Sequence, residues 1–259
     1  MEAPELDARL EKKLSNLQNF RRNQEAIWGT VGTAYFVSQM LIQSVTVLQD
    51  LTLQEAHRSM MWRTALDYQM ESFFLLIDTR LDEGLAVLRM TSELTRDIAR
   101  IGNDAARLHC WQNRLDPNNL RQYRQDFKFD DTNKFERFIH DLYRLSSSFG
   151  VHGHRSRTAA LRPTGEIVEG KYVVLDVPDT EVFKGLEIWL AAFYPVHQIC
   201  AQTFFPLRSE QLVECHSHFL SLWEAFDGVF AVYRDNLRKL DADVLFNSSL
   251  EPVIRHPTS

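Results

Sequence analysis

Apolar residues recur every three or four positions along most of this chain, which is the period of one face of an α-helix. A first amphipathic helix with a charged outer face is predicted on these apolar positions: Leu6, Leu10, Leu14, Leu17 and Phe20. A second helix is predicted on the next such series: Ile27, Val31, Ala34, Ser38, Leu41, Val45 and Leu48. A third helix at 53–77 and a fourth ending near Ile101 follow. The pattern predicts a mainly α-helical protein, built as a multi-helix bundle.

Polar residues mark the expected ends of these helices. Asp78 is expected to cap the N-terminus of the fourth helix, because a short acidic side chain accepts hydrogen bonds from the free N–H groups there. Residues 103–114 are predicted to form a further short helix. Residues 116–119 are typical of a break between helices, and the polar residues up to Asp131 are predicted to form a surface loop.

The pattern changes after the helix that ends near Ser146. Short apolar runs alternate with turn residues near 157–177, which predicts a small β-hairpin or β-meander insertion. The chain over 1–259 is expected to form a single helical domain. Its expected parts are N-terminal helices at 5–101, a Ser/His helix and loop at 132–156, the β insertion, a C-terminal helical hairpin at 179–241 and a tail at 243–259.

The last predicted helix has the most regular register, in which the spacing between apolar positions alternates between four and three residues. Its seam, called the 212–240 seam below, carries Leu212, His216, Phe219, Trp223, Phe226, Phe230, Tyr233, Leu237 and Leu240. A seam of this kind packs either inside a bundle or between subunits. We therefore expect a homo-oligomer, or a protein partner bound through helical seams.

Composition narrows the class of protein. The net charge of -6 argues against a broad nucleic-acid or anionic-membrane surface, but it leaves room for a local basic pocket. The 3 cysteines form no CxxC pair and residues 1–10 carry no apolar signal core, so a reducing, cytoplasmic location is expected. Two uncharged stretches, 26–49 and 188–207, have membrane-spanning length. Their polar residues favour buried bundle helices, so no membrane partner is expected.

The helix that ends near Ser146 brings polar and catalytic residue types close together. Its apolar face carries Phe138, Ile139, Leu142, Ser146 and Phe149. The Ser146 hydroxyl is therefore expected to point into the core, where it needs a hydrogen-bond partner. The loop that follows is locally basic and contains His152 and His154, which are the nearest partners along the chain.

The fourth predicted helix carries Arg89 and Glu93 one turn apart, on an arc that its apolar stripes leave free. Two interpretations stay open. In the first, this arc is a solvated, salt-bridged face that adds little stability. In the second, Arg89 and Glu93 form a partly enclosed polar pair that joins Tyr143, Arg144 and Ser146 in one site.

A resemblance to known proteins rests on these same residues. Arg89-x-x-x-Glu93 in one helix, followed by Tyr143-x-x-Ser146-x-x-x-x-x-His152 at the end of another, resembles a pattern in poorly characterised bacterial helical proteins. Those proteins are similar in turn to the HEPN superfamily of helical-bundle ribonucleases and nucleotide-binding proteins. The resemblance implies a helical bundle, and it also implies a ribonuclease in a defence or toxin-type setting.

The resemblance covers roughly residues 78–200. In HEPN ribonucleases a helix-borne Arg, often followed by a polar residue, precedes a His by a short gap, and the pair acts on RNA at a dimer seam. The resemblance implies these roles for Arg144 and His152. Two features depart from the family pattern: Leu145 is not polar, and the gap between Arg144 and His152 is slightly longer.

The chemistry that such a site needs is present in the sequence. Cleavage of RNA without a metal requires a base for the 2′-hydroxyl, a cation for the phosphate and an acid for the leaving oxygen. A histidine serves as base or acid near neutral pH, and an arginine fork matches phosphate oxygens. His152 or His154 together with Arg144 or Arg155 would be sufficient. The alternative is an ordinary solvated loop.

A zinc site is the lesser alternative. His197-x-x-Cys200 has the spacing that points two ligands the same way, and a helical hairpin would bring them level with Cys215 and His216. These four residues also lie on or near an apolar stripe, where free cysteines and hydrogen-bonded histidines are ordinary core residues. The sequence contains no glycine-rich phosphate loop, GxSxG or HExxH motif, and no cofactor is expected.

Two functional classes stay open. One is a HEPN-like ribonuclease that binds RNA in a local basic pocket, and the other is a non-catalytic interaction module that uses its helical seams. A perturbed histidine pKa in a cleft at the helix end would favour the ribonuclease. A convex, exposed helix end with a large apolar patch elsewhere would favour the interaction module.

Overall fold

The computed structural model describes residues 3–46, 51–78, 80–147, 165–168, 171–174 and 179–204. Eight helices lie within these residues: α1 (Ala3–Asn23), α2 (Glu25–Thr46), α3 (Leu53–Ile77), α4 (Leu81–Ile101), α5 (Ala105–Gln112), α6 (Pro117–Asp126), α7 (Lys134–Ser146) and α8 (Asp179–Gln202). Two short strands lie there as well: β1 (Gly165–Val168) and β2 (Lys171–Val174). The predicted mainly α-helical bundle is therefore confirmed.

Helix α3 is at the centre of the bundle. It packs most extensively against α4, while α8 packs against α3, α4 and α7. The largest fully buried apolar side chains come from four of the helices: Leu41, Trp62, Leu66, Phe73, Leu76, Leu85, Leu88, Trp189 and Phe193. Burying one side chain of this kind stabilises the folded state by roughly 1.5–3 kcal/mol, so this core supplies most of the driving force for folding.

The two uncharged stretches lie largely in α2 and α8. Every described α8 side chain from 185 to 201 is buried or half-buried, as expected for a helix enclosed by its neighbours. Across the part of the chain that the structure describes, no helix is long and apolar enough to cross a membrane.

Helix α2 buries the face that its periodicity predicts, and α3 has the predicted bounds. Helix α1 is different, because Leu10 and Leu14 are 51% and 58% exposed. Only the second half of its predicted stripe, Leu17 and Phe20, packs against the core. The predicted first helix is therefore present, but its apolar stripe packs against the core over part of its length only. Leu48 lies outside the described residues.

The prediction for Asp78 is wrong. Asp78 is the C-cap of α3, and its own N–H group donates to the carbonyl oxygen of Phe74. Helix α4 begins after Arg80, whose side chain makes no capping hydrogen bond. The Asp78 carboxylate instead accepts from Asn16 Nδ2 at 3.1 Å and lies 3.9 Å from Lys13 Nζ, so it ties α1 to the end of α3.

The prediction of a loop throughout 116–131 is also wrong. Pro117 is the first residue of α6, where its missing N–H group costs nothing and its fixed backbone angle suits a helix. Asp116 caps this helix, and its carboxylate accepts from the backbone N–H of Asn118 at 2.9 Å. Helix α6 has no fully buried residue and is mostly polar, so it lacks the apolar periodicity from which helices are predicted.

Strands β1 and β2 pair antiparallel, with Gly165 opposite Val174 and Val168 opposite Lys171. They lie within the predicted insertion near 157–177, whose other residues fall outside the described ranges, and the insertion as a whole stays a prediction. Helix α8 covers the start of the predicted hairpin at 179–241, and the hairpin itself stays a prediction. The 212–240 seam and the tail at 243–259 also lie outside the described residues.

Three helices meet at Leu76 with almost no space between them. A Cβ atom added to Gly84 of α4 would lie 2.9 Å from Leu76 Cδ2. A Cβ atom on Gly185 of α8 would lie 2.7 Å from the same methyl group and 2.8 Å from Leu81 Cδ1. The Leu76 side chain is fully buried between the two glycines. A shift of this side chain away from one glycine would therefore bring it closer to the other. The glycines set how closely α3, α4 and α8 approach.

Gly185→Ala is therefore expected to destabilise the protein. Overpacking a tight core lowers the free energy of unfolding by about 1–3 kcal/mol. The better helix propensity of alanine offsets up to about 1 kcal/mol of that loss. We expect a net loss of about 1 kcal/mol in urea unfolding. Gly32→Ala is the matched control, because an added Cβ on exposed Gly32 of α2 meets nothing within 4 Å. The control is expected to gain stability, and a gain at Gly185 as well would contradict the close packing.

Candidate functional site

The polar arc of α4 is half-buried. Arg89, Glu93, Arg96 and Arg100 have side-chain exposures of 25%, 38%, 13% and 19%. Helix α7 packs against α4, and the segment 127–133 between α6 and α7 contributes contacts to the same arc. This enclosure strengthens each polar interaction on the arc, because water is partly excluded from it.

Arg89 joins α4 to α7. Its Nε lies 3.1 Å from Glu93 Oε1, and its Nη2 donates to the Tyr143 hydroxyl oxygen at 3.2 Å. The guanidinium carbon also lies 4.9 Å from the centre of the Tyr143 ring. The structure thus brings together three of the residues that the sequence pattern singles out, although 54 positions separate Arg89 from Tyr143.

Ser146 is buried on α7, as its position on the apolar face predicts. Within the described ranges its Oγ atom has no hydrogen-bond partner, and Arg89 contacts Tyr143 instead. Arg144 is exposed. His152 and His154 lie outside the described residues, so the convergence of the complete set stays a prediction.

A second polar cluster lies further along α4, around Asp97. Arg96 donates from Nε to Asp97 Oδ1 at 2.9 Å, and Trp111 of α5 donates to Asp97 Oδ2 at 2.9 Å. The hydroxyl of Tyr123 on α6 donates to Asp97 Oδ2 at 2.9 Å and accepts from Arg96 Nη2 at 2.8 Å. One carboxylate therefore holds α4, α5 and α6 together.

Burial raises the pKa of Asp97 above its ordinary value, although Arg96, Tyr123 and Trp111 all act to lower it. Burial also raises the pKa of the Tyr123 phenol, with the neighbouring Asp97 charge acting in the same direction. No sequence pattern predicts this cluster. Its one local signal is an acidic residue directly before buried Ile98, inside the apolar stripe.

The segment 127–133 is fixed to α4 and α7. Arg100 forms an ion pair with buried Glu136 of α7 and donates from Nε to the backbone carbonyl oxygen of Lys128 at 2.8 Å. Glu136 Oε2 also accepts from the backbone N–H of Asp130 at 2.9 Å. The Arg96 guanidinium lies 5.4 Å from the centre of the Phe129 ring. These contacts hold the segment in one position beside α7.

His197 is fully buried in the core. Trp62 Nε1 donates to His197 Nδ1 at 2.8 Å, and His197 Nε2 lies 2.9 Å from Gln69 Oε1. Because an indole nitrogen can only donate, Nδ1 must accept and Nε2 must carry the proton. Burial lowers the pKa of His197 to about 3, so the imidazole is neutral.

This arrangement bears on the alternative zinc site. Both ring nitrogens of His197 are already used in hydrogen bonds, so neither offers a free lone pair to a metal. Cys200 is buried, and burial raises the pKa of its thiol. Cys215 and His216 lie outside the described residues. Among the residues that the structure does describe, no group of three or more His, Cys, Asp or Glu side chains is placed to hold a metal ion.

Arg58 is a fully buried cation, which the sequence pattern does not predict. Its Nη1 donates to the carbonyl oxygen of Thr203 at 2.8 Å, and its Nη2 donates to Asn103 Oδ1 at 2.8 Å. Its guanidinium also lies 4.7 Å from the centre of the Phe204 ring. Burial lowers the pKa of Arg58 to about 10. This side chain fixes the end of α8 against α3 and the turn after α4.

Comparison of the chain with models of protein families, with curated proteins and with solved structures finds no match. The relationship to HEPN proteins therefore stays a prediction from the sequence pattern. Within the described part of the site, Arg89, Glu93 and Tyr143 form one connected set of contacts.

Proposed function

We propose that this protein is a HEPN-like helical-bundle ribonuclease that cleaves RNA without a metal at the C-terminal end of α7. One observation carries the proposal: the Arg89 guanidinium, bonded to Glu93, contacts Tyr143 one turn before the end of that helix. The contact places the Arg-x-x-x-Glu helix directly beside the Tyr-x-x-Ser helix. These two helices hold the residues on which the family resemblance rests.

Each proposed residue has a chemical role. Arg144 is exposed, so its guanidinium can reach a phosphate in solution. His152 and His154 follow directly in the chain and supply proton transfer. Arg89 and Tyr143 fix the helix that presents these groups, so they position the site.

The proposal also has a cellular and an oligomeric part. We place the protein in the cytoplasm, in a defence or toxin-type system, where its buried free thiols Cys110 and Cys200 stay reduced. The resemblance sets the Arg/His pair at a dimer seam, so the active species is proposed to contain two copies joined through the 212–240 seam.

The proposal is tested by His152→Ala. The variant is expected to lose RNA cleavage by roughly 100-fold or more, because a general acid or base contributes about that much. Its thermal unfolding should match the wild type. His109→Ala is the matched control, because His109 is exposed on α5 and belongs to no site described above.

Cleavage is measured on a labelled synthetic RNA, and the mass of the active species is measured by light scattering. Cleavage by His152→Ala at the wild-type rate would end the proposal. A wild-type protein that forms stable dimers but leaves RNA intact would favour the non-catalytic interaction module instead.

A further inference from the structure

The segment between α6 and α7 places a carboxylate against a histidine of α7. His140 Nδ1 lies 2.9 Å from Asp131 Oδ1. The imidazole also stacks on Phe129, with 4.7 Å between the ring centres and 10° between the ring planes. One edge and one face of the His140 ring are therefore held by two residues of the same segment.

This contact decides which nitrogen of His140 is free. A carboxylate only accepts hydrogen bonds, so Nδ1 carries the proton and Nε2 carries the lone pair of the neutral ring. Among the residues that the structure describes, Nε2 has no hydrogen-bond partner, and the side chain is 31% exposed. A carboxylate that orients an imidazole in this way is how enzymes prepare a histidine to accept a proton.

The segment that carries Asp131 is held in place before any ligand binds. Thr132 donates to Asp130 Oδ1 from its backbone N–H at 2.9 Å and from its hydroxyl at 2.5 Å. The backbone N–H of Asp130 in turn donates to Glu136 of α7 at 2.9 Å. A site whose supporting hydrogen bonds already exist loses little free energy to ordering when it reacts.

His140 lies on the same face of α7 as the groups already assigned to the proposed function. Tyr143 follows His140 by three residues and Arg144 follows it by four. Each is therefore a neighbour of His140 on the surface of the helix. Arg144 is exposed, and Arg89 contacts Tyr143 from α4. A proton acceptor is therefore next to an exposed cation that can contact a phosphate.

We propose that His140, oriented by Asp131, is the general base of RNA cleavage; this inference rests on the proposed ribonuclease function. His140 Nε2 takes the proton of the ribose 2′-hydroxyl, and the 2′-oxygen forms a bond to phosphorus. The bond from phosphorus to the 5′-oxygen breaks, and that oxygen takes a proton from protonated His152. The products are a 2′,3′-cyclic phosphate and a 5′-hydroxyl. The two histidines exchange protonation states, so no other reactant is needed.

Kinetics on a labelled RNA test the role of His140 in the full-length protein. His140→Ala is expected to lower kcat about 100-fold or more with little change in KM, because it removes the base and not the phosphate contact. Asp131→Asn should lower kcat by about 10–100-fold, since the ring remains but loses the residue that orients it. His109→Ala is the matched control, and circular dichroism checks that every variant is folded.

A spectroscopic readout separates orientation from a structural role. In ¹⁵N-labelled protein, the signals of His140 are assigned by their loss in His140→Ala. We expect the neutral ring to carry its proton on Nδ1 in the wild type, and to become a mixture of both tautomers in Asp131→Asn. A wild-type ring protonated mainly on Nε2 would overturn the assignment, whether or not RNA is cleaved.

The outcomes of the kinetic experiment are distinct. If the wild type cleaves RNA and His140→Ala cleaves it equally well, the role of His140 is overturned and the ribonuclease function stands. A rise in KM at constant kcat would also overturn it. If the wild type does not cleave RNA, both proposals fall. If His152→Ala cleaves RNA at the wild-type rate, the proposed function falls, and the role of His140 falls with it.

Discussion

Asp97→Ala is expected to lower the free energy of unfolding by about 3–5 kcal/mol, which is the usual loss when one partner of a buried ion pair is removed. The substitution leaves the Arg96 charge, the Trp111 N–H group and the Tyr123 hydroxyl without their shared acceptor. Arg96 is only 13% exposed, so water cannot replace the carboxylate. Urea unfolding monitored by circular dichroism measures the loss.

The matched control is Asp67→Ala on the exposed face of α3. Asp67 Oδ1 lies 3.4 Å from Arg63 Nε, one turn away, and its side chain is 56% exposed. A surface pair of this kind contributes about 0–1 kcal/mol, so the control should barely change stability. Equal losses at the two positions would show that Asp97 does not hold α4, α5 and α6 together.

Acid is expected to destabilise the protein through His197. In the unfolded chain this imidazole binds a proton near pH 6.5, whereas burial lowers the folded pKa to about 3. Between these values the unfolded state binds the additional proton, so stability rises with pH. The contribution is complete above about pH 6.5, and it falls by about 1.4 kcal/mol for each pH unit below that value. Urea unfolding at a series of pH values measures this slope.

His197→Gln isolates this effect. The variant loses the hydrogen bond from Trp62 and is less stable at neutral pH, but it has no imidazole to protonate. The difference in unfolding free energy between wild type and variant should therefore shrink as the pH falls towards 3. His57→Gln is the control, because His57 is only half-buried on α3 and its hydrogen bonds are exposed to solvent. A constant difference at all pH values would contradict a neutral, buried His197.

The helical bundle could be predicted where apolar spacing decides the structure. The bounds of α3 and the buried face of α2 follow from a long, regular pattern. The predictions are wrong where helix caps or contacts between distant segments determine the structure. Helix α6 depends on Asp116 as a cap and on Pro117 as a first residue, and hydrophobic patterning detects neither. The role of Asp78 depends on α1, which is distant in the sequence.

The candidate site was predictable in part, for a physical reason. Arg89 and Glu93 are one turn apart on one helix, so local spacing predicts their contact. The partners of Asp97 come from two other helices, and no local rule brings them together. Asp131 and His140 meet because the segment 127–133 is fixed by Arg100 and Glu136, which is a tertiary effect.

A continuous series of contacts connects the Asp97 cluster to α7. The Asp97 cluster fastens α6 to α4, and Arg96 of that cluster packs against Phe129. Phe129 stacks on His140, one turn before Tyr143 and its contact with Arg89. The core of the bundle therefore positions the same face of α7 on which the ribonuclease proposal depends.

The ribonuclease proposal is best tested on the products of RNA treated with the purified wild-type protein in excess chelator. We expect cleavage that persists without metal, is lost in His152→Ala, and leaves 2′,3′-cyclic phosphate and 5′-hydroxyl ends, as read by mass spectrometry. RNA that stays intact, or cleavage that stops when metal is removed, would show that the protein is not a metal-independent ribonuclease.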